Sequence, residues 1–504
     1  MAAWQSAQQH LLAGRAKAAL AGYLQLTKQF PNVPQLWAEL GLAAAGDLDF
    51  AHADQATQRA ADMAAADPDL LVSLGQQFHR LRRLDSAAAC FANAVKADPA
   101  SAHARLSLAA WLERSRRLDE AIDCVDACLA AHPHDAHARY FKGFLTHRKG
   151  LNAEAEKELR QLLAQSSLHP EVRYSATHLL GVVLDALCQY DDALAELTRA
   201  KTLLRQMTDT TSLEQSYDKT VQARRQFMNE LKPDTIRRWR EEAASETNGR
   251  SIVFLGGPPR SGTTLIEQVL GAHPQISVFD ESEAFVQEIL TPLCPPPPAR
   301  SPSVKSLNAL KTAERQRLTT RYFKSLLRDI NPAPGVLLLD KNPSLTPSLH
   351  LWLRLFPMLK VLITLREPRD VILSCFFQNL ALTAVNVNFL SLERTARFYA
   401  DSMDVWLRLR DLGGFDWLET KYEDWVGGLE NEGRKVMNFL GLPWRSEQIA
   451  FHESARGKFV FAPTYNEVTK PVHGRAMQRW KNYATAFAPL EERLAPYVRA
   501  FGYG

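Results

Sequence analysis

Residues 251–274 read SIVFLGGPPRSGTTLIEQVLGAHP, and the fold of the second half follows from this stretch. Ser251 to Leu255 form a short apolar, β-prone run of the kind that makes a buried strand. A glycine-rich turn from Gly256 to Thr264 follows, and then the helical pattern LIEQVLGAHP. Strand, turn and helix N-terminus together cradle a phosphate with backbone N–H groups and the helix dipole. Gly257 and Gly262 have the spacing of a triphosphate-binding loop, but Thr263 stands where that loop carries its lysine. A loop offering Arg260, Ser261, Gly262, Thr263 and Thr264 can grip one phosphate, yet it is poorly equipped for a triphosphate.

Two further apolar runs end in polar residues. Val336 to Leu339 lead into Asp340 and Lys341, and Leu359 to Leu365 lead into Arg366-Glu367-Pro368-Arg369-Asp370. The first could be read as a strand ending in the metal-binding aspartate of a nucleotide kinase, a reading weakened by the missing loop lysine. The second places Arg366 at a strand end and Ser374 eight residues later, within reach of a common phosphate. The alternative is a solvated turn with two arginines.

The first half reads differently. Residues 82–102, RRLDSAAACFANAVKADPASA, return at 116–136 as RRLDEAIDCVDACLAAHPHDA, an offset of 34. Ala19, Ala87 and Ala121 each stand twelve residues before a proline; Ala155 continues the step and Ala193 repeats it loosely. Prolines at 31, 68, 99, 133 and 170 punctuate the chain. A small residue at a fixed place lets two helices approach closely, and a proline is expected to end the second helix of each pair. One hairpin cannot bury its apolar face alone, so the pairs must stack.

The period, the alanines and the prolines resemble the tetratricopeptide (TPR) family, with five or six degenerate repeats over residues 1–206. PRSGTTL after a strand and before a helix resembles the 5′-phosphosulfate loop of sulfotransferases, which use 3′-phosphoadenosine-5′-phosphosulfate (PAPS). In detail the second half resembles the protein-tyrosine sulfotransferases. That resemblance implies a general base at Glu281, in HPQISVFDESEAF, with Glu283 as the neighbouring alternative. It implies a catalytic lysine at Lys341, in LLLDKNPSL, and a nucleotide-side tyrosine at Tyr422, in ETKYEDWV. The segment TYNEVTKPVHGRAMQRW resembles the family's closing stretch, with Thr464 replacing a usual serine and Arg479 a usual lysine or arginine. It further implies that Arg260 and the loop hold the 5′-phosphate, and that Arg366 and Ser374 take the 3′-phosphate. A TPR array ahead of such a domain looks like the TPR-containing sulfotransferases of bacteria. His273, the base in some relatives with small acceptors, is a lesser candidate here.

The expected architecture is therefore an all-α TPR-like solenoid over 1–206, a helical connector over 207–249, and an α/β P-loop-like sulfotransferase domain with a parallel sheet over 250–504. The expected reaction moves a sulfonyl group from PAPS to a peptide or protein tyrosine, recruited through the solenoid. A carbohydrate or small-molecule hydroxyl is one alternative; a TPR adaptor with a nucleotide-binding but non-catalytic domain is another. No metal is expected, because sulfonate carries less charge than a γ-phosphate. The six cysteines form no CxxC pair, which fits buried thiols in a reducing compartment. The basic start of a signal peptide is missing, and so is an apolar run long enough to span a bilayer. The expected location is cytoplasmic, without membrane or nucleic-acid partners; oligomeric state is left open. Residues 1–206 carry 22 basic and 23 acidic side chains and the remainder 38 and 33, so any anion site is expected in the second part. Pro295 to Pro298 impose extended geometry between base and lysine, as a surface loop or a stiff lid.

Overall fold

The computed structural model describes residues 2–244, 250–294, 301–328, 330–452 and 474–503. The chain divides into two compact units, Met1–Glu196 and Leu197–Gly504.

The first unit is a run of antiparallel helical hairpins. Ala2–Leu12 pairs with Ala16–Gln29, Pro34–Gly46 with Phe50–Met63, and Pro68–Arg80 with Leu84–Ala97. Ala102–Arg114 then pairs with Leu118–Ala131, and Ala136–Arg148 with Asn152–Leu163, before Pro170–Ala186 packs onto the last of these. Ala19, Ala53, Ala87, Ala121 and Ala155 lie 34 residues apart and have no exposed surface at all. Ala53 belongs to the same series but was hidden in the sequence by an irregular proline spacing.

A second 34-residue series explains how each hairpin turns. Gly14, Leu48, Arg82, Arg116 and Gly150 all sit in the left-handed region, and Cys188 does so after a longer step. The residue after each one donates its N–H to a carbonyl five residues back, as Arg83 does to Phe78 and Arg117 to Leu112, both at 2.8 Å. This bond closes the helix end. Only two of the six positions are glycine, so packing of the paired helices imposes the turn on side chains that disfavour it.

The prolines meet the expectation in part. Pro31, Pro99 and Pro133 stand two residues past the ends of Ala16–Gln29, Leu84–Ala97 and Leu118–Ala131, as expected, in the turns before Pro34–Gly46, Ala102–Arg114 and Ala136–Arg148, whereas Pro34, Pro68 and Pro170 begin helices. A fixed φ and a missing N–H suit the first helical position, where that donor has no partner anyway. Asp67, Ser101 and Asp135 cap three of these starts, each accepting from the N–H three residues on.

The second unit is built on a five-stranded parallel sheet: β1 (Ile252–Gly256), β2 (Ile276–Asp280), β3 (Leu337–Lys341), β4 (Lys360–Leu365) and β5 (Asp416–Lys421). The spatial order is β2-β3-β1-β4-β5. β1 and β3 are buried at every residue, as expected of central strands covered on both faces. Helices Thr210–Glu230 and Pro233–Ala244, in the stretch read as a connector, are anchored within this unit. Arg225 donates to Asp401 at 2.6 Å, Tyr217 to the same carboxylate at 3.2 Å, and Trp239 to Asn308 at 2.7 Å. An aromatic group of Phe285, Trp352, Tyr322 and Phe356 fills one side of the sheet, with Phe285 stacked on Trp352 at 3.9 Å. Among the described residues no helix is long and apolar enough to cross a membrane.

Gly150 has nothing within 4 Å of the place a Cβ would take, so its substitution isolates the backbone term. Gly150→Ala is expected to cost about 1 kcal/mol of unfolding free energy. Arg116→Gly, at the equivalent turn, is expected to be neutral or slightly stabilising. Urea titrations followed by circular dichroism decide it; an equal loss in both would assign the cost to side chains instead.

Candidate active site

Parallel strands send all their carboxyl ends to one edge of the sheet, and the candidate residues meet there because each follows a different strand. β1 runs into the loop Gly257–Gly262, β2 into Glu281, β4 into Arg366 and β5 into Tyr422, while Lys341 is the last residue of β3. The register aligns Lys341 with both Leu255 and Asp280.

The loop is held from below. Thr346 donates its hydroxyl to the Gly257 carbonyl and accepts from the Gly257 N–H, both at 2.8 Å. A Cβ on Gly257 would lie 2.1 Å from the Thr364 carbonyl, and one on Gly262 would lie 2.4 Å from the Tyr422 ring. With φ of +125° and +98° respectively, both positions require glycine. Arg260 also has a positive φ, which turns its side chain across to Ser374, whose hydroxyl accepts from Nε at 3.2 Å. Ser261 is fully buried, and its hydroxyl has no hydrogen-bond partner. Its N–H is already bonded to the Pro258 carbonyl, which leaves the hydroxyl as the group it offers a ligand. Thr263 and Thr264 open the following helix, Thr263–Gly271, and are buried.

Arg366 ties the loop to the C-terminal part of the chain. One terminal nitrogen donates to the Arg260 carbonyl at 3.0 Å and the other to the Ala476 carbonyl, while Nε is buried without a partner. Its guanidinium lies 5.1 Å from the centre of the Tyr422 ring. Asp370 accepts from the N–H groups of Gln478 and Trp480, at 2.6 and 2.9 Å, fixing the stretch that carries Arg479. Arg479 packs over Phe377. Burial lowers the pKa of Arg260, and the charges of Arg366 and Arg479 push the same way. Three guanidinium groups thus crowd one region, an arrangement that an anion relieves. Arg369 is directed elsewhere, to Glu367 at 2.8 Å and over the Trp480 ring. Thr464 and Pro295 to Pro298 lie outside the described residues.

Lys341 lies beside this cluster with no exposed side-chain surface. Its ammonium is 2.5 Å from Asp280, 3.0 Å from Glu281 and 3.6 Å from Glu267. Desolvation pulls its pKa down, but the three carboxylates prevail and hold it above the ordinary lysine range. Burial pushes the Glu267 carboxyl up to about 8, against the pull of Lys341. Glu281 has a φ of +45°, an uncommon conformation for a residue with a side chain, and its N–H donates to the Lys341 carbonyl at 2.9 Å. Glu283, the alternative base, accepts from Gln287 at 2.7 Å. His273 is buried and its Nδ1 accepts from the Gln275 N–H in the turn after the helix. Asp340, the residue behind the kinase reading, faces the opposite side of β3 from Lys341. It accepts from the Tyr322 hydroxyl at 2.8 Å and is fully buried.

Residues 252–446 match the sulfotransferase family. The match falls within the second unit, which thus carries a domain similar to the sulfotransferases. Residues 72–136 and 112–170 match the tetratricopeptide repeat, which places a TPR solenoid ahead of that domain. The protein-tyrosine sulfotransferase A of Caenorhabditis elegans is 25% identical over 264 residues, 50% of this chain and 67% of that protein. An uncharacterised protein of Aquifex aeolicus is 25% identical over 67% of this chain and 43% of its own length. The Drosophila melanogaster protein-tyrosine sulfotransferase is 26% identical over 50% of this chain and 51% of that protein. The chain thus spans between 43% and 67% of the length of these relatives.

Two residues of the sulfotransferase domain's charged cluster, Glu267 and Asp280, were not singled out from the sequence. Glu267 interrupts the buried face of an otherwise apolar helix, and a charge in such a place was the available signal. Among the described residues no group of His, Cys, Asp and Glu is arranged to hold a metal ion.

Burial raises the pKa of Asp340 from 3.8 to about 7. The folded state therefore keeps this proton after the unfolded chain has lost it. Stability from this group is full below pH 3.8 and declines as pH rises to about 7. Asp340→Asn is expected to flatten that decline, as measured by thermal unfolding at pH 4.5, 6 and 7.5. An unchanged pH slope would mean that Asp340 titrates normally.

Proposed function

We propose that this domain moves a sulfonyl group from PAPS to a hydroxyl acceptor, with a peptide or protein tyrosine as the preferred class. The observation that carries the reading is the placement of a phosphate loop, three arginines, a buried lysine and an exposed glutamate along one sheet edge. The donor fits the residues present: the Ser261 hydroxyl is buried without a partner, glycines 257 and 262 leave room only for backbone, and Arg366 Nε is an unused buried donor. PAPS supplies an activated sulfonyl group on a phosphate leaving group.

The loop hydroxyls and Arg260 would hold the 5′-phosphate, and the helix N-terminus adds its dipole. Arg366, Ser374 and Arg479 would take the 3′-phosphate, with Tyr422 and Thr464 on the nucleotide side. Glu281 would accept the acceptor's proton as the bond to sulfur forms; a phenol, with a pKa of about 10, is easier to activate than an alcohol. Lys341 would meet the charge that develops on the bridging oxygen. The ion pair between Glu281 and Lys341 is then a resting arrangement that opens when an acceptor enters. The TPR solenoid would recruit the polypeptide acceptor, a role that rests on its place in the same chain. Tyrosine sulfation is the activity in the names of the relatives above, and this supports the choice of acceptor.

Calorimetry with adenosine 3′,5′-bisphosphate, 5′-AMP and ATP–Mg²⁺ tests the donor site. Selective binding of the bisphosphate is expected; preference for ATP–Mg²⁺ would overturn the reading in favour of a kinase. Glu281→Gln is expected to lower transfer to a tyrosine peptide by at least about 10²-fold while bisphosphate affinity stays near normal. Bisphosphate binding with no transfer to peptide, sugar or small phenol would instead favour the adaptor. Arg366→Ala is expected to weaken the bisphosphate more than 5′-AMP, and an equal loss for both would misplace the second anion site.

A further inference from the structure

The three carboxylates around Lys341 are not equivalent. The Glu281 side chain is 41% exposed, whereas those of Asp280 and Glu267 are 12% and 1% exposed. Asp280 is the last residue of β2 and the direct cross-strand partner of Lys341, so sheet register fixes that pair. Glu267 comes one helical turn after Thr263, on the helix that begins at the phosphate loop. When Glu281 takes a proton its carboxylate becomes neutral and releases Lys341. A buried ammonium without a remaining counter-charge is strongly destabilised and free to move.

Resting on the roles given to Glu281 and Lys341 above, we propose that Asp280 is a positioning residue that holds Lys341 Nζ at the transfer site while Glu281 works, with Glu267 as a second brace. Division of labour follows: the exposed carboxylate moves a proton, Asp280 stays on the lysine at 2.5 Å, and the Glu267 carboxyl makes a weaker contact at 3.6 Å. The Glu267 contact also links the lysine to the helix that follows the glycine-rich loop.

The test uses the full chain with Asp280→Asn, Glu267→Gln and Glu281→Gln. Three quantities are read: bisphosphate affinity by calorimetry, transfer from labelled PAPS to a tyrosine peptide, and acetic-anhydride labelling of Lys341 against pH by mass spectrometry. The last needs no acceptor. Asp280→Asn is expected to keep bisphosphate affinity within a few-fold and the donor KM near normal. Its kcat is expected to fall on the order of 10²-fold, and its Lys341 labelling midpoint to move to lower pH. Glu267→Gln should shift both in the same direction by less. Wild-type kcat and midpoint in Asp280→Asn would overturn the proposal. Retained transfer in Glu281→Gln beside a shifted midpoint in Asp280→Asn would remove the base assignment and leave the brace standing. Should Asp280→Asn fail to fold, Asp280→Glu replaces it: a loss of kcat with an unchanged midpoint supports positioning, and wild-type kcat overturns it.

Discussion

A single buried ammonium organises the second unit. Lys341 has no contact with solvent, and its charge is held by the acidic side chains that the end of β2 and the helix after β1 bring to it. That condition fixes the order of the sheet: β3 must lie between β2 and β1, with Lys341 level with Asp280 on one side and Leu255 on the other. A slip of one residue in β3 would turn the ammonium to the opposite face and bring Asp340 into its place. The alternation along this strand thus separates two charges with different fates, one beside the anion loop and one capped by Tyr322 in the aromatic core.

The basic side of the site is arranged on the reverse principle. Three guanidinium groups crowd together, and the terminal nitrogens of Arg366 donate to two backbone carbonyls, with the Asp370 carboxylate at 4.0 Å. Carbonyls orient a cation without cancelling it. Along one sheet edge, then, the lysine meets three acidic side chains and the arginines gather beside it.

Much of this was legible in the sequence because each element ended where its chemistry began. The strand before Gly256, the loop to Thr264, Lys341 after an apolar run and Arg366 after another are local signals, and local signals survive in a linear reading. The partners of Lys341 were not legible, since Asp280 and Glu267 reach it only through strand order and register. Thr346, which braces Gly257 from 89 residues away, was invisible for the same reason. Arg369 stands three residues after Arg366 in the sequence, but Glu367 beside it and Trp480 far along the chain draw it away. In the repeats, buried alanines gave the period correctly. Pro31, Pro99 and Pro133 marked helix ends as read, while Pro68 and Pro170 begin helices, because one residue type serves both places.

The left-handed turns of the solenoid have a consequence for how such arrays grow and shrink. Backbone shape recurs every 34 residues from Gly14 to Gly150, while the side chains at those turns range from glycine to leucine and arginine. Geometry is therefore kept by neighbouring helices and not by a turn motif, and it outlasts the sequence resemblance between copies. Cutting the chain at two such points removes a whole module and rejoins like to like. The array can change in length by single units while each surviving hairpin keeps its own closure.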